Sequence, residues 1–195
     1  MGFMDRLKMG WRLSMKALQI VKNHKQLIIF PVISTAALII VSMTFVGIMA
    51  GTGAFDDGSM SFGTFVLTFL LYFVCYFIIV FFNVALIHCA MLILDGQEAP
   101  LESGIKKAMS RLPVIVGWSA VSASVGLLLN MLEENAGWLG KIVIGLIGLA
   151  WSLMTYFVVP VLAYEQVGVV DAIKRSGSVF KQTWGENFGG AVGFA

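Results

Sequence analysis

"YFVCYFIIVFFNVALIHCAMLIL", residues 72–94, contains no Asp, Glu, Lys or Arg, yet Asn83, His88 and two cysteines stand among its Phe, Ile, Val and Leu. The charge-free run extends upstream to Gly58, and three others match it: Gln26 to Phe55, Leu112 to Leu132 and Ile142 to Tyr164. Each reaches the roughly 20 apolar residues that a helix needs to cross a bilayer. Backbone amides find no water in hydrocarbon, and these runs lack the strict alternation of a membrane barrel, so they must be helices. The expected fold class is all-α: a polytopic transmembrane helix bundle with amphipathic interfacial helices on its cytoplasmic side.

Composition supports the same class. Of 195 residues, 58% are hydrophobic and 12% charged, with a mean hydropathy of +0.89, whereas a soluble domain carries about 25% charge. The first apolar run follows a basic region of about 25 residues and exceeds the roughly 7–15 residues of a signal core, so it is expected to stay in the protein. Cys75 and Cys89 lie on one helix, about 21 Å apart along its axis, too far for a mutual disulfide.

Charge placement predicts orientation. Of 13 Lys and Arg, six precede the first span (Arg6, Lys8, Arg12, Lys16, Lys22, Lys25). Three lie between spans two and three (Lys106, Lys107, Arg111), three follow span four (Lys174, Arg175, Lys181), and Lys141 alone is on the other side. The excess of cations in cytoplasmic loops then places the N-terminus of this multi-pass membrane protein in the cytoplasm. The loops with Asp56, Asp57, Glu133 and Glu134 face out.

Three amphipathic stretches accompany the spans. Phe3, Leu7, Trp11, Met15, Leu18 and Val21 recur at helical spacing beside Lys8, Arg12 and Lys16. Leu101, Ile105, Met109 and Leu112 oppose Lys106, Lys107 and Arg111, and Val169, Ile173, Phe180 and Trp184 oppose Lys174, Arg175 and Lys181. Such helices lie in the interface plane, where each cation is worth about 1 kcal/mol toward anionic lipid. The candidate headgroup contacts are therefore Arg12, Lys16, Lys106, Lys107, Arg111, Lys174, Arg175 and Lys181. The other reading is that these cations only set topology.

"GIKKAMS" (104–110) aligns with "AIKRSGS" (172–178) at a shift of 68 residues. The repeating unit is an interfacial helix followed by an outbound and a returning span. After the third such helix the chain turns apolar in "FGGAVGFA" (188–195), which looks like the start of a fifth span. The expected organisation is a single membrane domain over 1–195, with interfacial helices at about 3–24 and 168–186 and spans at about 27–50, 63–94, 112–132 and 140–163. An intact protein of six spans is the matching expectation. Pro31 and Pro113 are assigned to first turns, where a missing N–H costs little; Pro160 lies inside span four and should kink it.

At 100° per residue, Thr64, Thr68, Tyr72, Tyr76 and Asn83 share one face of span two and are expected to meet protein, while Phe69, Phe73, Phe77 and Phe81 form a ridge toward lipid. Tyr76 sits at depth and needs a partner, for which Ser122, Ser152 and Thr155 stand at similar levels. The small residues of "SAVSASVG" (119–126), with Gly145, Gly148 and Ser152, suit close helix packing, or alternatively a narrow pore. His88 is a single intramembrane imidazole without a second ligand, so no metal site is expected. No carboxylate stands inside a span and no phosphate-binding glycine loop occurs, which argues against enzymatic catalysis and coupled transport. The expected function is non-catalytic: organising or binding lipid, or a partner, at the inner leaflet. The alternative is an oligomeric channel or transporter for a small solute or ion. Expected partners are anionic lipids and further copies of the chain, with no nucleic acid and no cofactor.

The segments "VVPVLAYEQVGVVDAIKRSGSVFKQTWGENF" (158–188) and "GWRLSMKALQIVKNHKQLIIFPVIS" (10–34) carry a resemblance. A proline-containing span leads to an acidic residue and then to a helix with a basic–small pair, here Arg175 and Ser176. This resembles uncharacterised prokaryotic six-span membrane proteins and the membrane domain attached to some glycerophosphodiester phosphodiesterases. The resemblance implies a membrane domain of unknown activity and a further C-terminal hairpin. It implies no catalysis, because the phosphodiesterase chemistry belongs to a separate soluble domain.

Overall fold

A computed structural model describes residues 24–53 and 61–182, together with Met15. The expected N-terminal interfacial helix with Arg12 and Lys16, the loop holding Asp56 and Asp57, Trp184 and the apolar segment at 188–195 lie outside the described residues. The described residues form α1 (Gln26–Gly51), α2 (Phe62–Leu94), α3 (Leu101–Ser110), α4 (Leu112–Glu134), α5 (Trp138–Thr155), α6 (Val158–Tyr164) and α7 (Val169–Phe180). The fold class is all-α. Among the described residues, four helical segments are long and apolar enough to cross a membrane: α1, α2, α4 and the α5–α6 pair.

Local chemistry sets the ends. Ser61 accepts a hydrogen bond from the Thr64 N–H at 3.2 Å, capping α2. At the other end Gly96 adopts φ +72°, and the Gln97 N–H returns to the Leu92 carbonyl at 2.8 Å. That is the 6→1 closure favoured by a glycine in the left-handed region. Pro113 falls at the start of α4. Pro31, assigned to a first turn, lies further inside, because α1 already begins at Gln26 and its first bonds reach back to His24 and Lys25.

Pro160 divides the fourth span. It cannot donate to the Tyr156 carbonyl, and its ring crowds that same group. The helix breaks at Tyr156 and Phe157 and resumes as α6.

Central α2 packs against α1, α3, α4 and α6, while α5 packs against α4 and α7. Gln26 Nε2 donates to the Ala99 carbonyl at 3.0 Å, Arg111 Nε to the Leu162 carbonyl at 2.9 Å, and the Tyr164 hydroxyl to the Ile87 carbonyl at 3.4 Å. These bonds gather the start of α1, the end of α2, α3, the start of α4, α6 and α7 at one end of the molecule. The core concentrates there: Phe30, Val84, Ala85, Cys89, Ala108, Ile115, Val158, Leu162 and Ala172 are all buried.

Toward the opposite end packing thins, and α5 buries none of its residues. Apolar side chains cover the outside: Val32 is 60% exposed, Ile40 66%, Met43 72% and Leu146 60%. In water each such side chain would forgo about 1.5–3 kcal/mol of burial. In hydrocarbon the penalty disappears, so this is a membrane protein.

The central place of α2 also changes how its faces are used. The Phe69–Phe81 ridge, expected to face lipid, is partly buried, and Phe77 and Phe81 pack against the core. Asn83, expected to face protein, is exposed. A two-sided periodicity cannot describe a helix flanked by four others.

Candidate functional site

Two polar regions stand out from the apolar body. The first is the basic end. α3 and α7 are the paired elements of the 68-residue repeat, and both bury the same two positions: Gly104 and Ala108 in α3, Ala172 and Ser176 in α7. Ser110 Oγ bonds the Lys107 carbonyl and Ser178 Oγ bonds the Arg175 carbonyl, both at 2.7 Å. The repeat is therefore structural as well as sequential.

In both helices the face that packs most closely is the small one. A Cβ added to Gly104 would stand 2.8 Å from the Ala85 carbonyl, the Cys89 sulfur and the Phe30 ring. Leu101 and Ile105 pack at the margin of this contact, and Met109 remains exposed.

Ser176 has a task that Ala108 lacks. Its hydroxyl accepts from the Phe157 N–H at 3.0 Å and donates to the Met154 carbonyl at 2.7 Å. In an unbroken helix each N–H bonds the carbonyl four residues back, so those two groups would pair with Leu153 and Val158. The serine thus closes the hydrogen-bond gap at the proline break. Trp118 of α4 stacks on Trp151 of α5 at 6.0 Å and 22°, next to the same region.

Arg111 links the start of α4 to the end of the fourth span. Its Nε donates to the Leu162 carbonyl at 2.9 Å, and its Nη2 donates to the Glu165 carbonyl. A guanidinium here satisfies the last carbonyls of α6 and suits the negative end of the helix dipole. Glu165 in turn receives Arg175 Nε at 2.9 Å on its carboxylate. Replacing Arg111 with Lys, which lacks the planar fork, should keep at most one of its two bonds. The expected loss is about 1.5 kcal/mol, seen as a lower unfolding temperature in detergent.

The other cations are more open. Lys106 and Lys181 are exposed, Lys107 is half-buried, and Lys174 is loosely paired with Asp171 at 3.8 Å with both side chains largely exposed. His88 is half-buried on α2, within electrostatic reach of Lys107. A surface cleft of about 420 Å³ lies beside this end, lined by His24, Gln26, Gly96, Gln97, Glu98, Ala99 and Pro100.

The second region is a cleft of about 350 Å³ between α1 and α2, lined by Ser42, Leu71, Tyr72, Cys75, Tyr76 and Ile79. Gly126 of α4 makes room for the tyrosines: a Cβ there would lie 3.3 Å from the Tyr72 ring and 3.5 Å from the Tyr76 hydroxyl. Among the described residues, Tyr76 forms no hydrogen bond with Ser122, Ser152 or Thr155, the partners expected for it. Ser152 Oγ bonds the Gly148 carbonyl at 2.9 Å and Thr155 Oγ1 the Trp151 carbonyl at 2.7 Å, each in its own helix. Ser122 is buried on α4.

Among the described residues, no group of three or more His, Cys, Asp or Glu side chains is placed to hold a metal ion. Gly104 and Glu165 were not among the candidates drawn from sequence, and Ser176 entered only as the small member of the basic–small pair. The signal for Ser176 was present in the repeat, where a hydroxyl replaces Ala108 in the copy that faces Pro160.

A family model described as a family of unknown function (DUF6159) matches residues 62–195. It carries no link to glycerophosphodiester phosphodiesterase domains. No curated protein and no solved structure matches the chain.

Proposed function

Because the chain belongs to the DUF6159 family, whose function is unknown, its role must come from its own residues, and we propose that it is a non-enzymatic membrane protein whose basic end binds anionic lipid headgroups. The observation that carries this reading is the gathering of Lys25, Lys106, Lys107, Arg111, Lys174, Arg175 and Lys181 at one end, with Lys141 near the start of α5 at the other. The division of labour within the cluster supports it. Arg111 and Arg175 are occupied by carbonyl and carboxylate partners, whereas in this proposal the more open lysines around them meet phosphate. An excess of cations on one face favours the cytoplasmic side, so in this proposal the basic end meets the inner leaflet of a prokaryotic cell membrane.

A solute conduit is less well supported, since the hydroxyls of Ser119, Ser152 and Thr155 already bond carbonyls of their own turns.

The test is lipid selectivity in nanodiscs, measured as the preference for spin-labelled phosphatidylglycerol over phosphatidylcholine. Changing Lys106, Lys107, Lys174 and Lys181 together to Gln leaves Arg111 and Arg175 to hold the fold. At about 1 kcal/mol per cation, the preference is expected to fall at least fivefold. An unchanged preference rejects the headgroup reading.

A further inference from the structure

The cleft between α1 and α2 calls for a different ligand from the basic end. Three hydroxyl-bearing residues line it, Ser42, Tyr72 and Tyr76, together with Leu71, Cys75 and Ile79, and no charged side chain is among them. Among the described residues, the hydroxyls of Ser42, Tyr72 and Tyr76 make no hydrogen bond to protein. Elsewhere in the spans, hydroxyls such as those of Thr44, Thr68 and Ser119 return to a carbonyl four residues back. Hydroxyls left without a protein acceptor in hydrocarbon are costly, because no water is at hand to take them.

Depth narrows the class of ligand. Gly126, which the tyrosines approach, lies 14 residues from Leu112 and 8 from Glu134 in α4. At 1.5 Å per residue this is about 21 Å and 12 Å from the two ends. The cleft therefore lies well inside the apolar layer, below the level of phospholipid headgroups. A matching ligand is uncharged, dissolves in the bilayer interior and offers hydrogen-bond acceptors there. The volume of about 350 Å³ falls within the range of small-molecule sites, and aromatic rings in the lining suit a flat partner.

We propose that this cleft binds the ring of a membrane-dissolved carbonyl compound of the quinone class, with Tyr72, Tyr76 and Ser42 donating to its carbonyl oxygens. The site goes beyond the headgroup reading and does not depend on it.

The experiment uses the whole chain in nanodiscs of zwitterionic lipid, where the basic end has no anionic headgroup to bind. The probe is a 1,4-benzoquinone with a decyl tail bearing a diazirine, and the control is a decylbenzene with the same tail group. Saturable photolabelling is expected in peptides covering Ser42 and residues 71–79, competed by unlabelled decylbenzoquinone. Tyr72→Phe with Tyr76→Phe removes both phenol hydroxyls and keeps the rings, and should weaken labelling at least tenfold. Ser42→Ala should weaken it to a smaller degree. Thermal unfolding of each variant should match that of the unchanged chain. The proposal is overturned if the quinone fails to label saturably, if the double variant labels as well as the unchanged chain, or if the decylbenzene labels equally.

Discussion

Replacing Gly104 with Val is expected to lift α3 off α2 and expose Cys89. The added Cβ would meet three atoms at 2.8 Å, and one of them is the backbone carbonyl of Ala85. The Phe30 ring and the Cys89 sulfur are themselves buried in the core, so there is little space into which they can move. Overpacking in a dense core usually costs about 1–3 kcal/mol, and a contact against backbone belongs at the upper end, near about 3 kcal/mol. The readout is a thiol assay in a Cys75→Ser background. Cys89 is fully buried beneath α3, with its sulfur 3.7 Å from the Pro100 carbonyl, and should resist a water-soluble maleimide. In the Gly104→Val chain it should react, and the unfolding temperature should drop. A protected thiol and an unchanged unfolding temperature would show that α3 does not pack as described.

The second large effect concerns Ser176. Ser176→Ala leaves the Phe157 N–H and the Met154 carbonyl without their partner in a partly buried position inside the apolar layer. Each such group costs about 1–3 kcal/mol, so a total loss of about 3 kcal/mol is expected. The cause can be isolated by a double-mutant cycle with Pro160→Ala. Alanine at 160 restores the N–H that the Tyr156 carbonyl lacks and lets the fourth span run on as one helix, which then supplies its own bonds to Phe157 and Met154. In that background Ser176→Ala should cost less than about 1 kcal/mol. Equal costs in both backgrounds, measured by unfolding in detergent, would mean that the serine acts by packing alone and does not close the proline break.

These two residues mark what could and could not be read from the chain. The all-α class followed directly from four charge-free runs, because hydrocarbon permits few ways to satisfy a backbone. The break at Pro160 was legible for the same local reason. Its partner was not, since Ser176 lies on a separate helix and only the comparison with Ala108 distinguishes it. The faces of α3 and α7 were harder still. Hydropathy draws attention to Leu101, Ile105 and Met109, whereas close approach is governed by the absence of a side chain at Gly104 and the small side chains at Ala108, Ala172 and Ser176. The same limit applies to α2, where Asn83 and the Phe ridge do not occupy the sides their periodicity suggested. The tyrosines of the cleft were visible as polar residues at depth, but the room left for them by Gly126 depends on how α4 lies against α2.

The account rests on lipid, and not water, covering the apolar exterior. Nitroxide labels placed in turn at Ile40, Met43 and Leu146, all more than half exposed, test this in nanodiscs by collision with oxygen and with a water-soluble nickel complex. Oxygen, which concentrates in hydrocarbon, should dominate at all three positions. Dominant collision with the nickel complex at these positions would place the helices in water and contradict the account.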